Sequence, residues 1–144
     1  KKRSQMRICG CEISSQEVRL AVVELNDEQN VELLRIKKTR IELKDGTSEE
    51  NLRSVLAALQ EFSQENTIGT FVIKTRAKKG RIAGGAVSFK IETLIQLVEG
   101  CNTRFVSPIA LSYFAKKELE GYPEKLPVYL KNAFLCGAYA LLKG

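Results

Sequence analysis

The sequence contains no histidine and no tryptophan, and its 144 residues include only one methionine, three prolines and two aspartates. Without imidazole, a Ser-His-Asp or Cys-His mechanism and a histidine proton shuttle are excluded. The two aspartates, Asp27 and Asp45, stand in polar segments typical of turns. Any catalytic chemistry would therefore rest on glutamate, lysine, tyrosine or cysteine side chains.

Long apolar runs are also missing from the sequence. The longest covers ten residues, 133–142, whereas a helix that spans a membrane needs about 20. The basic N-terminus is not followed by the apolar stretch of a signal peptide. We therefore expect no membrane association, a flexible basic arm or cloning remnant at residues 1–5, and one domain over residues 6–144.

The four cysteines, Cys9, Cys11, Cys101 and Cys136, do not have the spacing of a zinc site. Three of them stand inside apolar segments, where a free cysteine behaves as a small buried apolar residue. Unpaired cysteines of this kind are typical of a reducing compartment. We therefore expect a cytoplasmic protein.

Hydrophobic periodicity and helix-capping signals predict an alternation of strands and helices. A 44% apolar fraction is sufficient for a folded core. The predicted strands are 7–13, 17–25, 31–43 (with a break near residue 38), 70–73 and 104–106, and the predicted helices are 47–63, 87–99, 109–119 and 127–142.

This order predicts an α/β fold with a five-stranded mixed sheet, in which three antiparallel strands precede two parallel ones and helices cover both faces. That arrangement is ribonuclease H-like. Its first strand lies in the middle of the sheet, and an acidic residue near the end of that strand points into a cleft. Glu12 stands at this place, in Ile8-Cys9-Gly10-Cys11-Glu12-Ile13.

Two interpretations of Glu12 remain open. As a functional residue it would be a ligand of Mg²⁺, because hard divalent cations prefer carboxylate oxygens. As a structural residue it would pair with the nearby basic loop. Two-metal cleavage of a phosphodiester needs several convergent carboxylates, and Glu92 is the only further candidate catalytic carboxylate near the cleft. We therefore favour the structural interpretation and expect that the protein is not an enzyme.

The segment 74–90 is the most distinctive part of the chain. It carries six positive charges, and no acidic residue occurs between Asn66 and Ile91, so its charge equals the net charge of +6. Glycines before a helix allow backbone N–H groups to approach an anion. The segment is thus either a phosphate-binding loop or a structural glycine turn. The candidate phosphate-binding residues are Lys74, Arg76, Lys78, Lys79, Arg81, Gly84, Gly85 and Lys90.

The chain resembles the bacterial domain-of-unknown-function family 3010, which is similar to RuvC-type Holliday-junction resolvase domains. The resemblance rests on four features of the sequence. They are the first-strand motif 8–12, the block 79–90 with its paired glycines, the helix segment 95–100 and Ser107-Pro108.

For active resolvases, the resemblance implies carboxylates that bind metal on the first strand, at the end of the fourth strand and on the last helix. Only Glu12 matches these places. Lys74, Thr75 and Arg76 follow the fourth strand, and the predicted last helix has no acidic residue. The resemblance therefore implies the fold and the cleft more than the nuclease activity.

Three functions remain as hypotheses. The favoured one is a module that binds the phosphate backbone of DNA or RNA through the 74–90 segment. The second is a weak or degenerate Mg²⁺-dependent nuclease that uses Glu12 and Glu92. The third is a scaffold that binds another protein, or a second copy of itself as a homodimer, without affinity for nucleic acid.

Overall fold

The computed structural model describes residues 7–75 and 85–144. A six-stranded mixed sheet forms the centre of this part of the chain. Its order is β3-β2-β1-β5-β6, and β4 also pairs with β2. The strands are β1 (Arg7–Ser14), β2 (Glu17–Leu25), β3 (Val31–Leu33), β4 (Arg40–Glu42), β5 (Ile68–Lys74) and β6 (Asn102–Val106).

The two kinds of strand pairing are those predicted from the sequence. β1 and β2 form an antiparallel hairpin, and its turn residue Ser15 has a φ of 58°. β1 pairs with β5 and β5 pairs with β6 in parallel. The first strand therefore lies in the middle of the sheet, between an antiparallel neighbour and a parallel one.

The predicted third strand, 31–43, is split into β3 and β4, so the sheet has six strands rather than five. Only two backbone hydrogen bonds hold the intervening residues to β2. Leu34 N–H donates to the Val22 carbonyl, and Leu20 N–H donates to the Thr39 carbonyl, both at 2.8 Å. The break lies in a stretch with three basic residues, whose charged side chains favour solvent over a continuous paired strand.

The helices begin and end close to the predicted positions, with two irregular turns that the periodicity did not indicate. A π-helical turn, Phe114–Glu118, follows α3, and a 3₁₀ turn, Val128–Leu130, precedes α4. The helices are α1 (Glu49–Glu65), α2 (Gly85–Gln96), α3 (Pro108–Tyr113) and α4 (Lys131–Lys143).

The first helix is capped by Ser48, whose Oγ accepts the backbone N–H of Asn51 at 3.1 Å. The neighbouring Thr47, the first residue of the predicted helix 47–63 and the start of a Thr-Ser-Glu-Glu capping-box pattern, donates its hydroxyl to Asp45 instead. An aspartate two residues earlier competes for the threonine hydroxyl, so the helix begins one residue later than a capping box at Thr47 would place it.

The helices cover both faces of the sheet, as expected. α1 and α2 pack on the face that carries the odd-numbered side chains of β1, including Cys9 and Cys11. α3 and α4 pack on the opposite face, which we call the α4 face, together with Ala21, Val23 and Val72. No helix in the described residues is long and apolar enough to cross a membrane.

Close packing of α4 on the sheet depends on two glycines. A Cβ atom added to Gly10 in β1 would lie 2.7 Å from the backbone nitrogen of Gly137 and closer still to the Ala133 carbonyl oxygen. A Cβ atom on Gly137 would lie 2.6 Å from a methyl carbon of Val23. The absence of side chains at these positions therefore sets the distance between α4 and the centre of the sheet.

Candidate functional site

Glu12 lies near the end of the central strand, on the α4 face. Its Oε2 accepts a hydrogen bond from Asn132 Nδ2 at 2.9 Å, and its Oε1 lies 3.8 Å from Arg19 NH1. Only 18% of the Glu12 side chain is exposed. Both carboxylate oxygens thus have partners within the protein, one from the start of α4 and one from β2.

The arginine partner follows directly from the hairpin register. Glu12 and Arg19 are opposite each other in the β1–β2 ladder, so their side chains project from the same face. Arg19 Nε also donates to Glu17 Oε2 at 2.9 Å, and Arg40 Nε lies 3.8 Å from the same oxygen. The charge of Glu12 is therefore balanced by a strand arginine held in an ion-pair network. The sequence analysis also expects a partner for Glu12 in the basic loop, and most of that loop, residues 76–84, lies outside the described residues.

A second set of contacts holds the start of α4 against the β2 side of the sheet. The guanidinium of Arg40 lies 4.2 Å from the centroid of the Tyr129 ring. The hydroxyls of Tyr129 and Thr39 are hydrogen-bonded at 2.7 Å. Because Tyr129 comes three residues before Asn132, these contacts restrict where the amide of Asn132 can lie relative to Glu12.

Lys74 ends β5, the strand beside β1. Its even-numbered neighbour Val72 is buried on the α4 face, and Lys74 projects from the same face because side chains alternate along a strand. Within the described residues, the Lys74 ammonium makes no hydrogen bond or ion pair. Burial raises the pKa of the nearby Cys136 thiol far above its usual range, Glu12 adds to this rise and Lys74 opposes it. Opposite charges from two adjacent strands therefore meet near the start of α4.

Lys74 lines a cleft of about 390 Å³ between the end of β5, α3 with its π-helical turn, and the start of α4. We call this the lysine cleft, after Lys74, Lys116 and Lys131. None of the described residues that line it is acidic. Its lining residues are Lys74, Pro108, Leu111, Ser112, Ala115, Lys116, Tyr122, Lys131, Asn132 and Leu135. The cleft is thus positively charged and suited to an anion.

The residues around Glu12 do not fit a magnesium ion. Glu12 is engaged by Asn132 and Arg19, and the described residues include no group of three or more acidic or sulfur ligands close enough to hold a metal. An ammonium and a guanidinium near one carboxylate oppose a divalent cation by charge repulsion. The described side chains thus favour an anion over Mg²⁺ at this place.

The structure does not bring Glu92 next to Glu12. Glu92 belongs to α2, whose apolar residues Ile91, Leu94 and Ile95 pack on the face opposite α4. Glu12 projects toward α4, as its hydrogen bond to Asn132 shows. The sheet therefore separates the two glutamates that the nuclease hypothesis requires together.

The predicted phosphate-binding residues fall into three groups. Lys74 lines the lysine cleft, whereas Lys90 donates from Nζ to the Gly46 carbonyl at 2.7 Å and so connects α2 to the loop before α1. Gly85 is the first residue of α2. Outside the described residues lie Arg76, Lys78, Lys79, Arg81 and Gly84, together with the predicted arm 1–5.

Sequence reasoning missed Asn132, Lys116 and Lys131 as site residues. The search for ligands on the last helix considered acidic side chains only, so the amide of Asn132 was passed over. Lys116 belongs to a Lys-Lys pair in the chain, which is a usable signal of basic character. Nothing in the local sequence indicates that these lysines converge on Lys74, because that depends on how α3 and α4 pack.

Comparison with solved structures identifies the class of fold. Thermus thermophilus RuvC in complex with a Holliday junction substrate superposes with a TM-score of 0.69 at 13% identity, covering 96% of this chain and 95% of that one. A second structure of Thermus thermophilus RuvC gives 0.68 at 11% identity, with 96% and 97% covered. The fold is therefore the RuvC-type, ribonuclease H-like fold.

A more distant structure, the yeast mitochondrial Holliday junction resolvase Ydc2, gives a TM-score of 0.51 at 10% identity and covers 77% of this chain and 57% of that one. No curated protein matches the sequence. The sequence model of a family described as protein of unknown function (DUF3010) matches residues 6–141. The chain belongs to this family, as the sequence resemblance predicted.

Proposed function

We propose that this protein binds nucleic acid and that the phosphate backbone of the nucleic acid lies along the lysine cleft. The observation that carries the proposal is the composition of that cleft, where Lys74, Lys116 and Lys131 converge and no acidic residue lines the described wall. A lysine ammonium is a compact point charge that binds phosphate oxygens without a fixed geometry. Three such charges around one concave surface suit a chain of phosphates.

The proposal is supported by the charge of the adjoining segment. Lys74 is the first of the six basic residues in 74–90, so the cleft begins where the most basic part of the sequence begins. The RuvC-type fold supports the same class of ligand, since one of the similar structures is RuvC with a Holliday junction substrate. At 13% identity that similarity concerns the fold, and the choice of nucleic acid rests on the cleft.

We propose binding without cleavage. Cleavage of a phosphodiester by two metal ions needs carboxylates that hold both cations, and Glu12 has its two oxygens engaged by Asn132 and Arg19. Lys74 ends β5, which is the fourth strand of the sequence prediction, and Asn132 stands on the last helix, α4. These are the places where the resemblance to resolvases implies carboxylates. The ammonium of Lys74 would attract a phosphate directly, and so provide the positive charge that a metal ion provides in an active resolvase.

The test is the salt dependence of binding, measured by fluorescence anisotropy with labelled duplex DNA, a four-way junction, single-stranded DNA and an RNA hairpin. Each phosphate contact contributes about 0.9 to the slope of log K against log salt for duplex DNA. We expect the triple variant Lys74→Gln/Lys116→Gln/Lys131→Gln to bind more weakly on every substrate. Its slope on the duplex should fall by about 2.7, the value for three lost contacts.

The matched control is Lys37→Gln/Lys38→Gln/Lys44→Gln, which removes the same charge from exposed lysines that do not line the cleft. This control should keep most of the wild-type affinity. If both triple variants lost the same affinity, the loss would follow from the net charge of the protein alone. That result would refute the cleft as the binding surface. No binding by the wild-type protein at low salt would refute the function and favour the scaffold hypothesis.

A further inference from the structure

A second concave surface lies beside the lysine cleft and has a different character. It has a volume of about 630 Å³ and is formed by the β2–β3 turn, the π-helical turn with the loop after it, and the end of α4. We call it the aromatic groove, after Tyr122, which is its exposed aromatic side chain, and the buried rings of Phe114 and Phe134 beneath its wall. Its wall also includes Gln29 and Asn30 at the turn, and the charged residues Glu118, Glu120 and Lys143.

Tyr122 is a shared wall of the two surfaces, since it lines both the lysine cleft and the aromatic groove. The Lys131 ammonium lies 5.2 Å from the centroid of its ring, and the centroid of the Phe134 ring lies 6.1 Å away. One aromatic ring therefore contacts a cleft lysine and an aromatic residue of the groove. With 41% of its surface exposed, Tyr122 remains accessible to a ligand.

We propose that the aromatic groove receives an unstacked nucleobase from the strand whose phosphates lie in the lysine cleft. This inference rests on the proposed function and names its substrate class, which is single-stranded nucleic acid or a duplex with an extruded base. Phosphate and base are joined through one sugar, so a positive surface and an aromatic surface that share a wall match the two ends of a nucleotide. Base–aromatic stacking accepts every base, because each base has a π-face.

The size and the edge of the groove agree with this occupant. Its volume lies within the range of about 300–1,000 Å³ that is typical of small-molecule sites, so it can accept a flat ring. Gln29 and Asn30 are exposed at the β2–β3 turn, and their side-chain amides make no hydrogen bond to other described residues. Amides of this kind bind the donor and acceptor groups at a base edge.

A base is favoured over an apolar protein segment because of charge. The groove shares the Tyr122 wall with the lysine cleft, so an occupant that reaches both surfaces would be anionic on one side and aromatic on the other. In the groove, Lys143 Nζ donates to Glu118 Oε2 at 2.9 Å, and Glu120 is a second acidic residue of the lining. The described lining of the lysine cleft has no acidic residue, so we assign the phosphates to the cleft and the uncharged base to the groove.

The experiment compares two probes of equal charge, a short oligothymidylate and a base-free oligomer of the same length with abasic units on the same phosphates. For the wild-type protein we expect the oligothymidylate to bind more tightly, by about 5- to 150-fold, the range that corresponds to one stacked base. Tyr122→Leu should remove most of this preference, measured as the ratio of the two affinities within each variant, because any change in phosphate binding through Lys131 affects both probes alike. Tyr122→Phe, which keeps the ring, should retain the preference.

Tyr113→Leu is the matched control, because Tyr113 is 59% exposed and lines neither surface. Thermal unfolding of each variant checks that the substitution leaves the fold stable. Equal binding of both probes by the wild-type protein would overturn the base site and leave phosphate binding standing. Binding of neither probe would overturn both proposals. If Tyr113→Leu lost the preference for the oligothymidylate as fully as Tyr122→Leu, the preference would come from exposed apolar surface in general, and the base site would be refuted.

Discussion

Substitution of Gly10 by alanine tests whether close packing of α4 on the sheet builds the site. The new Cβ atom would lie 2.7 Å from Gly137 N and 2.9 Å from the Ala133 carbonyl carbon, where ordinary contacts begin near 3.4 Å. These neighbours are helix backbone and cannot rotate away. α4 must therefore move outward as a unit, together with Lys131 and Asn132 at its start.

The expected cost follows from the kind of clash. An extra methylene in a well-packed core costs about 1–3 kcal/mol, and we expect the upper end here because backbone atoms are involved. For a chain of this length a loss of about 3 kcal/mol lowers Tm by about 6–12 °C. The outward shift also separates Asn132 from Glu12, so we expect weaker binding of nucleic acid at temperatures where the variant is folded.

The assay is thermal unfolding of the wild-type protein, Gly10→Ala and the control Gly121→Ala. At Gly121 an added Cβ atom would have no neighbour within 4 Å, and its φ is not in the left-handed region. Both substitutions lose the same backbone freedom in the unfolded chain, which favours folding by about 0.4–1 kcal/mol. A Gly10→Ala variant as stable as Gly121→Ala would refute the argument that α4 contacts β1 through this glycine.

Two further predictions concern the charge of the cleft and the dependence of stability on pH. The double variant Lys74→Glu/Asn132→Asp adds two carboxylates beside Glu12, so we expect Mg²⁺ or Mn²⁺ to raise its Tm. A bound ion stabilises the folded state by about 2.7 kcal/mol at a hundred times Kd. An equal metal-dependent rise in the wild-type protein would contradict the view that its cleft favours anions. The hydrogen bond from the Thr47 hydroxyl lowers the pKa of Asp45, with a smaller contribution from the Thr47 backbone N–H. A lowered folded pKa stabilises the protein above the unfolded value of about 3.9, and this stability is lost as pH falls through the folded pKa. Urea midpoints of the wild-type protein and Asp45→Asn should therefore differ at neutral pH and converge in acid, and a difference that is constant with pH would refute the assignment.

Local sequence patterns were sufficient for most of the fold. Apolar alternation located β1 and β2, and the polar turn at Ser15 fixed their pairing, which in turn placed Arg19 opposite Glu12. Such patterns work because each reports on residues close together in the chain, where backbone geometry decides which side chains share a face. The break in the third strand also has a local signal, the three basic residues between β3 and β4, whereas the π-helical turn after α3 was not indicated by the local pattern.

By itself, the sequence determined the fold class, the central position of Glu12, and the absence of acidic residues from the places where a resolvase resemblance implies them. Only the tertiary structure decided that Glu12 is held by Asn132, 120 residues further along the chain, and that three lysines surround one cleft. The physical reason is that Lys74, Lys116 and Lys131 stand on separate elements. Their convergence depends on α4 packing against Gly10, a long-range contact that no local periodicity encodes.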